Sequence, residues 1–343
     1  MPDLPARSDL AQLRRQAKDL LRAARGADAD ALRRIGAVSD QLVLASAQLA
    51  VAREYGFASW PKLKTEVLRR MVLDSGDPAR LRALLGEEPQ LAVLAMEHWR
   101  DHPKGASPLG YVAMLRYDTS RGVWRDVAGA GDLARALIEA GAPVDGEPGD
   151  PETPLITAAS YGDAAVAQVL IEAGADLQAH AAPNAGGVPG GTALLHAAVF
   201  GMTAVVDVLV AAGACPASIE EAAAAGDVSG HLTPRVPLQA RVRALVMAAD
   251  HERLEVIDQL LAAGTPVDAT DAQRGRQALR VAAENGRVAS VEHLLAHGAD
   301  PNLRDPQHQR TALECCRHGR RGVADGSSHD RVEAILRPLT TAG

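Results

Sequence analysis

The chain has 343 residues, 47% hydrophobic and 23% charged, with a formal net charge of −7. That composition excludes a disordered chain, and no run of about 20 apolar residues marks a membrane span. Met1 to Leu10 lack an apolar signal core and three cysteines suit a reducing compartment, so a cytoplasmic location is expected.

Charge is unevenly distributed. Residues 1–72 hold 13 Lys/Arg against 8 Asp/Glu, a balance of +5, and the remainder carries −12. A surplus of +5 is small for a nucleic-acid footprint, and attraction between a basic head and an acidic body accounts for it as well.

Residues 1–72 are predicted to form a helical head. Leu10, Leu13, Ala17, Leu20, Leu21 and Ala24 fall at three- and four-residue steps, with Arg14, Arg15, Lys18 and Arg22 around them. Gly26 stops that helix and Asp28 caps a short one over Ala29–Ile35. A third helix over about 40–55 ends at Gly56, and Pro61 suits the first turn of a fourth.

From residue 73 onward, helix pairs accumulate. Gly174-Ala175-Asp176, Gly213-Ala214-Cys215, Gly264-Thr265-Pro266 and Gly298-Ala299-Asp300 each close an apolar helical segment. The intervals from Gly141 to Gly174 and from Gly264 to Gly298 are 33 and 34 residues. Units open at Thr153-Pro154-Leu155 and Gly191-Thr192-Ala193-Leu194. Paired alanines such as Ala158-Ala159, Ala197-Ala198, Ala248-Ala249 and Ala282-Ala283 allow close helix approach. A period near 33 with these phrases resembles the ankyrin repeat. The head, through Gln12–Lys18 and Arg53–Pro61, is similar to that of a group of bacterial ankyrin-repeat proteins.

The resemblance implies an all-α fold: a solenoid of about seven irregular helix pairs over 73–343, preceded by the helical N-terminal region 1–72. Inserts are expected near 93–105, 116–129, 180–190, 226–240 and 319–329. The family's Thr-Pro-Leu-His phrase is incomplete, because its histidine position holds Ile156, Leu195, Val246 and Arg280, and His196 comes one place late. Irregular fingers between units follow from that departure.

The resemblance also implies non-catalytic protein binding on a concave face, as an adaptor, inhibitor or regulator, by a monomer without cofactor. Carried over by position, the groove residues are Tyr161, Phe200, Asp250, His251, Glu284 and Asn285, favouring a partner with an apolar anchor and a basic flank. A second site near the head is expected at Trp99, His102, Tyr117 and Trp124, where Trp99, Tyr111, Tyr117 and Trp124, four of the chain's nine aromatics, fall within 26 residues. Aromatic and arginine enrichment marks interface hot spots, but packing of a solenoid end explains it too. Two other readings are open: an enzyme pocket in the 97–126 insert, and nucleic-acid binding by the basic head. His98 and His102 lack a third ligand at meaningful spacing, and Cys315-Cys316 with His318 suit a packed helix, so no metal is expected. Ser327-Ser328-His329-Asp330 holds triad residue types as sequence neighbours, which rarely meet in triad geometry. Asp330 is expected to cap a helix over Arg331–Arg337.

Overall fold

The computed structural model describes residues 9–96, 106–118, 121–306 and 308–340. The chain divides into two compact units, 1–112 with 135–143, and 113–134 with 144–343. The expected head boundary at 72/73 lies inside the first unit, within its fourth helix.

The first unit begins with α1 (Leu10–Arg25), α2 (Ala29–Gly36), α3 (Leu44–Glu54), α4 (Trp60–Asp74) and α5 (Pro78–Glu87). Local chemistry starts these helices. The carboxylates of Asp9, Asp28 and Asp77 and the Ser59 hydroxyl accept backbone N–H bonds in the first turns of α1, α2, α5 and α4. The stripe on α1 buries Leu13, Ala17, Leu20, Leu21 and Ala24 against Ile35, Val51, Leu63 and Val67. The buried Arg69 of α4 pairs with Glu66 and donates to carbonyls that follow α5, those of Leu91 (3.2 Å), Leu94 (2.6 Å) and Ala95 (3.2 Å). One guanidinium thereby satisfies backbone acceptors that no helix provides for.

Next come α6 (Pro108–Ala113) and α7 (Ala130–Glu139), separated by a hairpin of β1 (Tyr117–Asp118) and β2 (Val123–Trp124). The strands pair antiparallel, Tyr117 opposite Trp124.

The second unit then stacks the regular pairs: α8 (Pro154–Tyr161) with α9 (Ala164–Glu172), and α10 (Ala193–Val199) with α11 (Thr203–Ala211). The unpaired α12 (Ile219–Ala225) precedes α13 (Leu238–Asp250) with α14 (Leu254–Ala262). Then follow α15 (Ala278–Glu284) with α16 (Val288–Ala296), and α17 (Ala312–Gly319) with α18 (Ser327–Leu336). Counting α5 and the α6/α7 segment that precede these five pairs in the chain, the described residues hold seven irregular repeats besides the unpaired α12.

The paired alanines of α8, α10, α13 and α15 are almost wholly buried, as are Leu170, Leu209, Leu260 and Leu294 between the layers. Leu261 and Leu295 are only partly buried against that core. The glycines after the second helices, including Gly174 at φ 90° and Gly264 at φ 82°, adopt the left-handed turn that ends each repeat. Between the two helices of a repeat, Gly162, Gly201 and Gly286 are left-handed too, and Glu252 takes that place between α13 and α14 at φ 53°, without glycine's freedom. Fingers are tied in register by aspartates: Asp145 accepts from the Asp176 N–H (3.0 Å), and Asp268 from that of Asp300 (3.1 Å). Apart from the hairpin, the described fingers carry one antiparallel bridge, Thr270 to Gln277, and are otherwise turns.

One cap is corrected. The last helix starts at Ser327, whose N–H bonds the Asp325 carboxylate (2.9 Å), so Asp330 lies in its first turn instead of capping it.

Candidate binding groove

The sequence places apolar residues where the repeat's turn histidine belongs, and two of them build a groove. Leu195 and Val199 of α10 and Val246 and Met247 of α13 form its apolar floor. Its rim carries Glu220, Arg243, Arg274 and Arg276, and its volume is about 340 Å³. Glu220 and Arg243, both partly buried, are ion-paired at 2.8 Å at its edge. At the two other positions of the missing histidine, Ile156 is core, and Arg280 donates to the Gly275 carbonyl (2.9 Å), tying its finger by other means.

His196, one place late, organises the long 180–190 loop. Its Nε2–H donates to the Val188 carbonyl (2.9 Å), and its Nδ1 faces the Ser160 hydroxyl of the preceding repeat at 2.8 Å. Burial holds its pKa below the ordinary histidine value, so the ring is neutral and Nδ1 is free to accept. Its edge meets the ring of Phe200, centroids 6.1 Å apart, and Phe200 remains 39% exposed.

Asp250 and His251 are interior residues, each only 1% exposed. Asp250 accepts from Asn285 Nδ2 (2.7 Å) and Arg287 Nε (3.4 Å), with Arg276 at 3.6 Å. His251 donates through Nε2 to the Ala198 carbonyl (2.9 Å) and accepts at Nδ1 from Thr203 (3.0 Å). Burial lowers the pKa of His251. The expectation that these two side chains face a partner is thereby corrected: they join repeats to one another. Asn285 is committed to the same network. Sequence position alone missed this, because the residue before the central turn points outward or inward according to how far neighbouring repeats overlap.

Glu284 is half-buried, and its backbone carbonyl accepts from His329 Nε2 (2.9 Å). His329 sits on the same helix as Ser327, Ser328 and Asp330, so these residues form no triad. Cys315 and Cys316 are buried on α17, and burial pushes both thiols up to about 11. Protonated thiols are poor nucleophiles and poor metal ligands.

Tyr161, Tyr117 and Trp124 come together although they lie on separate elements. Trp124 stands 4.9 Å from Tyr117 and 5.9 Å from Tyr161, centroid to centroid. Burial, then the Glu152 carboxylate, pushes the Tyr161 phenol up to about 12. On its other side Trp124 bridges in parallel to Val323, and its carbonyl accepts from the Ala324 N–H (3.0 Å). Two inserts that a repeat does not require thus clasp each other. Arg116 secures the hairpin by donating to the Gly162 carbonyl and pairing with Asp126 (2.9 Å). Trp99 and His102, together with His98, lie outside the described residues. On the head, Arg14, Arg15 and Lys18 are exposed, and Arg22 is paired with Asp19 at 2.7 Å.

Residues 126–219 and 236–325, more than half of the chain, match the family model for ankyrin repeats in three copies. The chain belongs to the ankyrin-repeat family. No curated protein matches it. Among solved structures, the human ASB11 ankyrin repeat domain is similar at TM-score 0.38 and 21% identity, over 80% of this chain and 98% of that one. Ankyrin repeats are in general protein-interaction modules and typically non-enzymatic. No described helix is long and apolar enough to cross a membrane.

Proposed function

We propose that this protein binds a protein segment non-catalytically in the groove between α10, α13 and the finger ahead of α15. The observation that carries this reading is the apolar floor of Leu195, Val199, Val246 and Met247 beneath a charged rim. An apolar side chain of the partner would displace water from that floor, and a groove built on packed helices binds without a large ordering cost. Phe200, still exposed, and Tyr161 at the edge of the aromatic clasp would serve as outer contacts. Since Asp250 is neutralised inside, the groove selects for an apolar anchor more than for a basic flank. An adaptor or inhibitor acting in the cytoplasm fits this reading.

Selection of peptides from a displayed random library on the full chain tests it. Enriched peptides should share an apolar anchor and lose binding to a Val199→Arg/Met247→Arg variant whose melting curve confirms folding. Equal binding to wild type and variant, or no enrichment, would overturn the groove.

A further inference from the structure

On the second helices of two successive repeats, three ligand-type atoms converge. Asp258 of α14 meets His293 of α16, Nε2 to Oδ1 2.7 Å, and His297 at the end of α16, Nε2 to the same Oδ1 3.2 Å. The three donor atoms lie within 4.8 Å of one another, and the imidazole centroids are 4.6 Å apart.

The hydrogen bonding makes this more than a surface ion pair. His297 Nδ1 faces the His293 backbone carbonyl at 2.9 Å, and a carbonyl can only accept. Nδ1 therefore carries the proton, and in the neutral ring Nε2 presents its lone pair toward the Asp258 carboxylate. Two acceptors face each other, an arrangement that a further proton or a cation between them would relieve. A backbone-bonded Nδ1–H that orients a ligating Nε2 is also the usual outer-shell support of a metal histidine.

We infer that Asp258, His293 and His297 form a binding site for a divalent transition-metal ion of the zinc class. Two ligands each about 2.1 Å from a tetrahedral ion stand about 3.4 Å apart. The 3.2 Å separation is already near that, and the 2.7 Å one reaches it by a small side-chain rotation. Imidazole nitrogens with one carboxylate suit zinc over calcium or magnesium, which prefer oxygen ligands throughout. The histidines stand one helical turn apart, so both rings reach the same side of α16. Three protein ligands leave the fourth position to water or to an exogenous ligand. A bound ion would fasten α14 to α16 and so clamp two repeats together. This site is independent of the groove reading.

Titration of the full-length chain with Zn²⁺ in a calorimeter tests the inference. One ion per chain is expected, with affinity weakened at least about tenfold in His297→Ala and in Asp258→Asn, as even outer-shell losses cost about 10- to 100-fold. Zn²⁺ should also raise the melting temperature of wild type and leave that of His293→Ala/His297→Ala unchanged. Should the alanine variants fail to fold, His297→Gln supplies the same comparison with a non-ligating side chain of similar size. No heat of binding at 100-fold excess Zn²⁺, or undiminished binding by the variants, would overturn the site; the residues would then be an ion pair alone.

Discussion

At the scale of single residues, glycines that look alike in the sequence do different work. Gly174 is left-handed with open space around it, so Gly174→Ala should cost only the conformational penalty of about 1–2 kcal/mol. A β-carbon on Gly319 would instead collide with the Glu284 carbonyl, a backbone atom that cannot turn aside. Gly319→Ala should therefore destabilise by about 3 kcal/mol, read from urea unfolding of the two variants side by side. Ala27, exposed at φ 62°, points the other way: Ala27→Gly should stabilise by about 1 kcal/mol by relieving left-handed strain.

Among the elements, stability depends on ties between repeats. Asp250→Ala leaves Arg287, Arg276 and Asn285 around a vacated interior position. Loss of a buried ion pair costs about 3–5 kcal/mol, and the arginines here are about a quarter exposed, so about 2–3 kcal/mol is expected in chemical denaturation. Asp250→Asn should cost less, because an amide oxygen can still accept from Asn285. The hairpin clasp has a different readout. Trp124→Ala removes both ring contacts, about 2 kcal/mol for a half-buried ring, and should raise amide hydrogen exchange at Ala324 while leaving α14 and α16 protected.

Across the whole molecule, the buried His196 and His251 set a pH dependence. Folded His196 and His251 have pKa values below the unfolded histidine value of about 6.5. Above that pH both rings are neutral folded or unfolded, and they contribute no slope. Below it the unfolded chain takes up protons that the folded chain resists, so stability falls as pH drops. The melting temperature should therefore decline between pH 6.5 and pH 5, before most carboxylates titrate, and the decline should be shallower in a folded His196→Gln/His251→Gln variant. The repeats also stand or fall together: removing residues 304–343 strips α17 and α18 from Leu279, Ala282 and Ala283 and should lower the melting temperature of what remains.

The sequence by itself determined most of the helices, the cap at Asp28, the first-turn place of Pro61 and the repeat period, while the cap expected at Asp330 fell elsewhere. These depend on residues within a few positions of one another: an aspartate before a helix, alanine pairs at one helical face, a glycine at the turn. The sequence did not single out His293 and His297, because nothing local marks Asp258 as their neighbour: it comes from the preceding repeat. The burial of Asp250 and His251, the apolar floor made by Leu195 with Val246, and the meeting of Trp124 with Val323 were decided only by the tertiary structure. The physical reason is that each repeat's surface is defined by the one stacked against it, and the angle of stacking is set by the summed packing of many small side chains. The inserts follow no period at all, so what they reach is settled by where the folded stack brings them.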